Sequence, residues 1–461
     1  MANIKFGTDG WRAITGEDFN SENVILVANA IAKYVNDNFG LNKLIIIGYD
    51  PRNMADVFSK LCADILVQKG FRVLYSKNIV PTPILAFNAR HLNACAVMFT
   101  ASHNPPEYLG IKFIPDYAGP ATSEITDEIV NNIGQTIPNS IDGSFEYYDF
   151  SKDYFAHLEK LVDFEKIRNS HINIVFDGLY SATIGYFDKI LKNHKIKYRA
   201  IHLNHDANFG GGMPDPKPQY MQELINLVKN SVNTVGLAND GDGDRFGVID
   251  EKGNYVTPNE IIAILLMHLV KNKNLKGSLV KTVGGSTLLD IAAKKLGIEV
   301  VETAVGFKHV GEAMRKYNPI IGGEDSGGLS IQGHIPEKDG ILANLLILEA
   351  MAYEKNTLLG LKENLYKFTN SKFYNDRIDL KLENQDLVKK ALERAENLKS
   401  LGNANVIKIN KIDGVKLYFD DNSWILVRPS GTEPLLRIYI ECDSTEKLQQ
   451  FKENIKNANI A

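Results

Sequence analysis

The stretch KLIIIGYDPRNMADVFSKLCADILVQKGFRVLY, residues 43–75, carries the pattern from which the fold of this chain can be predicted. Residues 43–49 form an apolar run typical of a buried β-strand, and residues 54–69 repeat apolar positions with the period of a helix. Gly70 marks the end of that helix, and residues 71–75 form a second apolar run. The stretch therefore predicts a βαβ unit.

The same succession of elements returns twice further along the chain. It is predicted over residues 172–176, 182–193 and 196–201, and again over residues 278–283, 287–296 and 299–303. In all copies a third apolar strand follows and runs into a polar loop, a hairpin-like stretch and another helix. The junctions between strand and loop are AVMFT-ASHNP at 96–105, TVGLAN-DGDGDR at 234–245 and PIIGG-EDSGG at 319–328.

These repeats predict an α/β fold with three similar mixed-sheet domains, over residues 1–150, 151–256 and 257–370. Residues 371–461 differ, with a strand at 373–380, a helix at 386–401, three strands around 406–440 and a last helix from Thr445. They predict a separate C-terminal α+β domain. Because ligands of α/β folds collect outside the carboxyl ends of the strands, we expect the equivalent loops to meet in one central cleft.

The composition of the chain excludes several classes of protein. Hydrophobic residues make up 44% of the 461 residues and charged residues 23%, which is typical of a globular protein with a large core. A net charge of −4 offers no basic excess for nucleic acid. The three cysteines have no CxxC spacing, so we predict neither disulfides nor a zinc site, and a cytoplasmic location.

The apolar runs also argue against a membrane protein. The longest, near residues 261–270 and 341–348, are shorter than the roughly 20 residues that span a bilayer. The polar, glycine-rich start of the chain lacks the pattern of a signal peptide. We therefore expect no membrane partner. We also expect the protein to be a monomer or a small homo-oligomer.

The first loop, TASHNP at 100–105, contains a candidate reactive hydroxyl. Ser102 is a candidate nucleophile or phosphate carrier, since it stands beside His103 in a tight turn after a buried strand. The alternative is a turn in which Ser102 and Asn104 satisfy local backbone groups. No GxSxG elbow is present and no third residue for a Ser-His-Asp arrangement can be assigned, so serine hydrolysis is disfavoured.

The second loop, DGDGDR at 240–245, places Asp240, Asp242 and Asp244 at alternate positions, separated by glycines that let the backbone fold tightly. An all-oxygen ligand set of this kind predicts Mg²⁺, with Arg245 beside a phosphoryl group. An EF-hand is disfavoured: Glu251 stands at position 12, but Arg245 occupies position 6, where that motif requires glycine. A solvated acidic turn without a metal is the remaining alternative.

The third loop, GGEDSGG at 322–328, combines carboxylates with a hydroxyl, a set that suits a polyhydroxylated ligand. The stretches GHIPEKDG at 333–340 and VGFKHVGE at 305–312 each add an imidazole and an ammonium. A plain glycine turn and core histidines are the alternatives. The candidate binding residues from these stretches are Glu324, Ser326, Lys308, His309, His334 and Lys338. We interpret NFGGGMPDP at 208–216 as a plain connection.

The last domain contains RPSGTEP at 428–434, between two predicted strands. Arg428 can bind an anion through two N–H groups, Ser430 and Thr432 supply hydroxyl donors, and Gly431 allows backbone N–H groups to approach. The stretch therefore predicts an anion-binding loop, with an ordinary hairpin turn as the alternative.

Together, TASHNP, DGDGDR, GEDSGG and RPSGTEP, in this order and at these separations, resemble the α-D-phosphohexomutase family, the phosphoglucomutases and phosphomannomutases. FGTDGWR at 6–12 also resembles the family's N-terminal TDGxR segment, which places Arg12 at the active site. The resemblance extends over essentially the whole chain. It implies three similar α/β domains and a smaller α+β domain around a central cleft, in agreement with the repeats.

The resemblance implies a role for each loop. Ser102 would be the phosphoserine that donates its phosphoryl group, and its phosphate would bind Mg²⁺ together with Asp240, Asp242 and Asp244. Lys112, in GIKF, resembles the family lysine that assists proton transfer. The candidate catalytic residues are therefore Ser102, His103, Lys112, Arg12 and Arg245. The candidate substrate-binding residues are Glu324, Ser326, Lys308, His309, His334, Lys338, Arg428, Ser430, Gly431 and Thr432.

The implied reaction interconverts hexose 1-phosphate and hexose 6-phosphate through a bisphosphate intermediate, with glucose 1,6-bisphosphate as activator. Asp325 in the sugar loop favours glucose phosphates, with mannose phosphates also accepted. The stretch HIPEKDG favours glucose too, since it is similar to HIREKDG of phosphoglucomutases, with Pro336 replacing arginine. Leu109 stands where the family commonly has asparagine, and we have no interpretation of this difference.

Four alternatives stay open at this point. Two are a phosphomannomutase and a phosphoglucosamine mutase on the same scaffold. The third is a Mg²⁺-dependent phosphatase with an aspartyl nucleophile, which would not need Ser102. The fourth is a sugar-phosphate sensor without catalysis.

Overall fold

Four β-sheets, each with helices packed against it, organise the chain into four domains. This computed structural model describes residues 4–7, 10–140, 143–429 and 435–457. Ser430, Gly431 and Thr432 of the predicted anion-binding loop lie outside the described residues. The first three sheets mix parallel and antiparallel strands, and the fourth pairs its described strands antiparallel. The predicted fold class is confirmed.

The first domain is built around a six-stranded sheet. Its elements are β1 (Trp11–Ile14), α1 (Ser21–Phe39), β2 (Ile45–Tyr49), α2 (Ala55–Gln68), β3 (Val73–Ser76), α3 (Thr82–His91), β4 (Cys95–Phe99), β5 (Tyr108–Ile114), α4 (Ser123–Asn131) and β6 (Glu146–Tyr148).

The second domain has a five-stranded sheet. Its elements are α5 (Ser151–Leu161), α6 (Phe164–Arg168), β7 (Asn173–Asp177), α7 (Phe187–Asn193), β8 (Arg199–Ile201), α8 (Gln222–Lys229), β9 (Thr234–Asn239), β10 (Phe246–Ile249) and β11 (Tyr255–Val256), with short 3₁₀ turns at Phe209–Gly211 and Pro218–Tyr220.

The third domain has a four-stranded sheet and the fourth domain a six-stranded one. The third contains α9 (Pro258–Lys271), β12 (Leu279–Thr282), α10 (Thr287–Leu296), β13 (Val300–Thr303), α11 (Phe307–Tyr317), β14 (Ile321–Gly323), β15 (Leu329–Ile331), α12 (Gly340–Glu354) and α13 (Leu358–Thr369). The fourth contains β16 (Tyr374–Lys381), α14 (Gln385–Asn397), β17 (Ser400–Leu401), β18 (Ala404–Asn410), β19 (Val415–Phe419), β20 (Trp424–Pro429), β21 (Leu435–Cys442) and α15 (Thr445–Asn457).

The first three sheets share one strand order, which is β5-β4-β2-β3, β10-β9-β7-β8 and β15-β14-β12-β13. In each, three neighbouring strands are parallel and the fourth returns antiparallel along the third. The β4–β5, β9–β10 and β14–β15 turns therefore occupy equivalent positions. These turns carry the three polar loops of the sequence repeats.

Three details of the predicted elements are wrong. The helix expected over 386–401 ends at Asn397, and residues 400–401 form β17. The helix expected over 182–193 begins only at Phe187, because Gly185, inside the expected range, has φ 84°, which a right-handed helix does not accept. The fourth domain has four strands where three were expected around 406–440. Gly414, at φ 78°, closes the hairpin between β18 and β19 that accounts for the extra strand.

Helix α12 lies at the centre of the packing between the second and third domains. It is buried on all sides from Gly340 to Ala352, as expected for a helix that is apolar around its whole circumference. Asp339 caps its start by accepting the N–H of Leu342 at 2.8 Å. One apolar core joins the first three domains, and the fourth has a core of its own. Among the described helices, none is long and apolar enough to cross a membrane.

Candidate active site

A cavity of about 670 Å³ lies where the four domains meet, and each domain contributes to its walls. The first domain supplies Arg12 and His103, the second Arg245, and the fourth Arg428. From the third domain, the predicted residues Lys308, Glu324, Ser326 and Lys338 line the cavity. Most of the predicted site residues are thus brought together from distant parts of the sequence.

Ser102 lies in the turn after β4, buried at the edge of this cavity. Its Oγ donates to Asp240 Oδ2 at 2.9 Å and is 3.4 Å from His103 Nδ1. Its φ of 52° is in the left-handed region, which is uncommon for a residue other than glycine. Burial, followed by the charges of Arg245 and Arg12, lowers the pKa of His103 well below its ordinary value, so this imidazole is neutral beside the serine.

The β9–β10 turn folds three buried carboxylates toward one point. Asp240, Asp242 and Asp244 each offer an oxygen within 4.8 Å of the others. Burial, followed by the charges of Asp244 and Asp242, raises the pKa of Asp240 well above its usual range. Among the described residues, no donor lies within hydrogen-bond distance of the buried Asp244 Oδ1. A hard divalent cation would relieve this repulsion, so the donor set fits Mg²⁺.

Lysine side chains and a threonine hold the Oδ2 atoms of Asp242 and Asp244. Lys112 Nζ, on β5, donates to Asp242 Oδ2 at 2.8 Å and to Asp244 Oδ2 at 3.0 Å. Lys338 Nζ lies 3.3 Å from Asp244 Oδ2, and Thr82 Oγ1 donates to Asp242 Oδ2 at 2.6 Å. The carboxylates are therefore oriented by neighbours from the first and third domains.

Arg12 contacts the turn that holds Ser102, and Arg245 contacts the carboxylate to which Ser102 donates. Arg12 Nη1 donates to Asn104 Oδ1 at 2.9 Å. The backbone N–H of Arg245 donates to Asp240 Oδ1 at 2.9 Å, and its Nε, which lies 3.9 Å from Asp244 Oδ1, has no hydrogen-bond acceptor among the described residues. Both guanidinium groups line the cavity, where they can bind an anion.

The β14–β15 turn presents oxygen groups to the cavity. Glu324 Oε1 accepts the N–H of Gly306 at 2.9 Å, and Ser326 Oγ lies 3.3 Å from Glu324 Oε2. Burial raises the pKa of Glu324, and it also raises the pKa of Asp325, which stands between Glu324 and Ser326 in the sequence. This turn can accept hydrogen bonds from ligand hydroxyls or bind an ammonium group.

The fourth domain contributes basic residues from neighbouring strands. Arg428 Nε, at the end of β20, donates to Asp413 Oδ2 at 2.6 Å. Arg377 on β16, and Arg437 and Tyr439 on β21, also line the cavity. Nine cationic side chains and three carboxylates line the cavity among the described residues. The cavity therefore suits a ligand that carries more than one negative charge.

Two predicted histidines do not line the cavity. His334 is buried behind it, where Nε2 pairs with Asp339 Oδ2 at 2.9 Å and Nδ1 with His157 Nε2 at 3.0 Å. Both ring nitrogens are thus engaged by protein groups. His309 is half-buried near Lys308, and it is not among the residues of the cavity wall. Binding of substrate by these two residues stays a prediction.

Other residues of the site were not predicted from the sequence. Arg52 donates to the backbone carbonyl of Ser102. Thr82, in the first domain, donates to Asp242 in the second domain. The stretch 208–216 is more than a plain connection, since Asp215 lines the cavity and Lys217 follows it there.

Models of known families match the chain along most of its length. Phosphoglucomutase/phosphomannomutase alpha/beta/alpha domain I matches residues 3–139, domain II matches 152–253, domain III matches 257–368, and the C-terminal domain of the same family matches 378–458.

Whole proteins are similar as well. A phosphoglucomutase/phosphomannomutase of Thermococcus kodakarensis is 31% identical over 97% of this chain and 96% of its own. A phosphoglucosamine mutase of Finegoldia magna is 29% identical over 98% of this chain and 97% of its own.

Solved structures share the fold. One from Thermus thermophilus, assigned provisionally as a phosphomannomutase, superposes with a TM-score of 0.88 at 29% identity, over 99% of both chains. The phosphoglucomutase parafusin of Paramecium superposes with a TM-score of 0.84 at 23% identity, over 100% of this chain and 95% of its own. The chain therefore belongs to the phosphoglucomutase/phosphomannomutase family of α-D-phosphohexomutases, whose members are intramolecular phosphotransferases.

Proposed function

We propose that this protein interconverts glucose 1-phosphate and glucose 6-phosphate through a phosphoserine at Ser102 and a glucose 1,6-bisphosphate intermediate. The observation that carries the proposal is the position of Ser102 Oγ, 2.9 Å from Asp240 in a group of three buried carboxylates. His103, the next residue, lines a cavity whose wall is rich in cations. A phosphorylated serine there has a cation site on one side and room for a sugar phosphate on the other.

In the first half-reaction, the free hydroxyl of the sugar phosphate attacks phosphorus. The P–O bond to Ser102 Oγ breaks, the bond to the sugar oxygen forms, and the sugar hydroxyl proton leaves while Ser102 Oγ regains a proton. Lys112 is our candidate for moving this proton, since its Nζ lies between Asp242 and Asp244. Arg12 and Arg245 would hold the equatorial oxygens as charge spreads over them, because phosphoryl transfer depends mainly on positioning and electrostatics.

Asp240, Asp242 and Asp244 would hold Mg²⁺ together with the phosphate on Ser102. When bound, this ion neutralises the charge of the phosphoryl group. The protein itself orients the three side chains: Thr82, Lys112 and Lys338 contact Asp242 and Asp244. Asp240 accepts hydrogen bonds from Ser102 Oγ and from the backbone N–H of Arg245.

The second half-reaction requires the bisphosphate to turn so that its other phosphate meets Ser102. A volume of about 670 Å³ is within the range of roughly 300–1,000 Å³ found for small-molecule sites. The phosphate that is not reacting would bind Arg428 and the predicted loop residues Ser430, Gly431 and Thr432. Glu324 and Ser326 would bind the sugar hydroxyls in both orientations.

Glucosamine phosphate is the second candidate substrate. Phosphoglucosamine mutases are among the relatives that match nearly the whole chain, and the carboxylates of Glu324 and Asp325 would pair with a sugar ammonium. Mannose phosphate is the third candidate substrate, because another relative is named phosphoglucomutase/phosphomannomutase. Comparing kcat/KM for glucose, glucosamine and mannose 1-phosphates decides among them, and glucose in last place would overturn our choice.

The central test is turnover of glucose 1-phosphate with Mg²⁺ and a trace of glucose 1,6-bisphosphate, in wild type and Ser102→Ala. We expect the substitution to abolish turnover, since it removes the oxygen that accepts the phosphoryl group. Ser140→Ala, at an exposed serine, is the matched control. Steady release of inorganic phosphate that survives Ser102→Ala would indicate the phosphatase alternative, and binding without turnover would indicate a sensor.

A further inference from the structure

Arg52 follows β2 and lies behind the loop that carries Ser102, outside the cavity wall. The residue is only 3% exposed. All five of its guanidinium N–H donors have protein acceptors. These are Asp50 Oδ2 at 3.2 Å from Nε, the carbonyls of Pro105 and Tyr108 at 2.7 and 2.9 Å from Nη1, and the carbonyls of Ser102 and Asn104 at 2.6 and 2.7 Å from Nη2.

Asp50 extends this contact to the other side of Ser102. Its carboxylate accepts the N–H of Arg52 at 3.0 Å and the hydroxyl of Thr100 at 2.6 Å. The Thr100 hydroxyl oxygen in turn accepts the N–H of Ser102 at 2.8 Å. One buried ion pair therefore fixes both the C=O and the N–H of a residue held at φ 52°, a conformation that persists only where its surroundings enforce it.

The second domain covers this ion pair. The Phe209 ring, from the stretch 208–216, lies over the Arg52 guanidinium at 5.0 Å and is buried. The loop of residues 240–245, here called the carboxylate loop, packs closely against the same carbonyl oxygen of Ser102. A Cβ added to Gly241 would lie 2.6 Å from this oxygen. Because the two loops touch at this oxygen, a shift of the Ser102 carbonyl would also disturb the loop of Asp240.

We infer that Arg52 is a positioning residue for phosphoryl transfer, which sets the reactive conformation of Ser102 and its distance from the carboxylate loop. The inference rests on the proposed function. Lysine at this position would keep the charge opposite Asp50, but its single ammonium has three donors and cannot reach four carbonyls spread along a loop. The fork of the guanidinium, rather than its charge, is therefore what the loop requires.

The kinetic test compares Arg52→Lys with wild type. We expect kcat to fall at least about tenfold with KM within about twofold, because the loop is misplaced while the substrate-binding residues are intact. In Arg52→Ala, added methylguanidinium is expected to restore part of kcat, at concentrations that leave the melting temperature unchanged. Arg72→Lys, at an exposed ion pair with Glu146 in the same domain, is the matched control.

A second readout does not depend on catalysis. In Arg52→Lys, amide hydrogen exchange across residues 100–110 is expected to quicken, while exchange in α1 stays as in wild type. If Arg52→Lys fails to fold, Phe209→Leu removes the aromatic cover but keeps the guanidinium, and it should lower kcat and quicken the same amides to a smaller extent.

Wild-type kcat together with unchanged exchange in Arg52→Lys would overturn the inference. A loss of kcat without any rescue by methylguanidinium and without faster exchange would also overturn it. If wild type shows no mutase turnover, the proposed function fails, and the exchange measurement still decides whether Arg52 orders the loop.

Discussion

The two carboxylate oxygens of Asp244 have different surroundings. Its Oδ2 contacts Lys112 at 3.0 Å and Lys338 at 3.3 Å, whereas no donor among the described residues lies within hydrogen-bond distance of the buried Oδ1. We expect Asp244→Asn to weaken the apparent affinity for Mg²⁺ at least about tenfold, because it removes one anionic ligand from a hard cation. The measurement is mutase activity against Mg²⁺ concentration.

Asp153→Asn, at a surface residue of α5, serves as the control for this substitution. Removal of divalent ions with a chelator should abolish turnover in wild type, and readdition of Mg²⁺ should restore it. An unchanged Mg²⁺ dependence in Asp244→Asn would contradict the assignment of this loop to the metal.

Single residues were predictable from the sequence where the chemistry lies within one loop. Ser102 and the alternating Asp240, Asp242 and Asp244 stand out because their spacing is local. Arg52 does not, since its acceptors are backbone carbonyls some 50 residues away, and carbonyl groups leave no mark on a sequence. His334 suggested a ligand by its type, but the fold uses both of its nitrogens for Asp339 and His157.

Strand β19 carries a buried charge at the junction of the third and fourth domains. Lys416 is 1% exposed, and its Nζ donates to the carbonyl of Val283 at 2.7 Å and lies over the Trp424 ring at 3.9 Å. Burial, followed by the charge of Lys281, lowers the pKa of Lys416 to about 7. Glu302 lies 3.9 Å away and favours the charged form only weakly.

This pKa predicts how the stability of the fourth domain changes with pH. Above about pH 7 the folded chain releases the Lys416 proton, whereas the unfolded chain keeps it up to about pH 10. Since the unfolded state then binds more protons, the free energy of unfolding contributed by this group rises with pH between these values. We expect Lys416→Met to remove most of that rise between about pH 6.5 and about pH 8.5.

Urea unfolding followed by Trp424 fluorescence measures the effect. The chain has two tryptophans, so a Trp11→Phe background makes the signal specific to the fourth domain. Lys408→Met is the control, since Lys408 is an exposed lysine on the neighbouring strand β18. The same pH dependence in Lys416→Met and in its parent would show that Lys416 does not titrate in this range.

Elements were predicted most accurately where the period is clear and the ends carry capping residues. α10 was predicted at the bounds that it has, with Ser286 as its N-cap and Gly297 at its end. The predicted start of α7 and the number of strands in the fourth domain failed. Both depend on turns with positive φ, at Gly185 and Gly414, and the apolar pattern carries no information about such turns.

The charge of the whole molecule and the charge of its cavity have opposite signs. The chain carries a formal net charge of −4, yet nine cations and three carboxylates line the described cavity. We expect KM for the hexose phosphate to rise severalfold between about 0.05 M and about 0.3 M KCl, because salt screens attraction to the cavity. kcat should change little, since the bound substrate is surrounded by protein.

Initial rates at several substrate concentrations and ionic strengths measure this effect. Sucrose at the same osmolality is the control for changes in water activity. A KM independent of salt would show that the cations act only after the ligand is bound.

The shared strand order of the first three sheets has a consequence for how such an enzyme can diversify. In a symmetric assembly of three identical chains, every loop at this position would carry the same side chains. One covalent polypeptide removes that restriction. The loop of the first domain therefore presents a hydroxyl, the loop of the second presents three carboxylates, and the loop of the third presents two carboxylates that can accept hydrogen bonds from ligand hydroxyls. Pseudo-symmetry supplies the common geometry, and covalent linkage lets each copy change alone. A substitution in the third loop, where we propose that the sugar binds, therefore leaves the side chains of the other two loops unchanged.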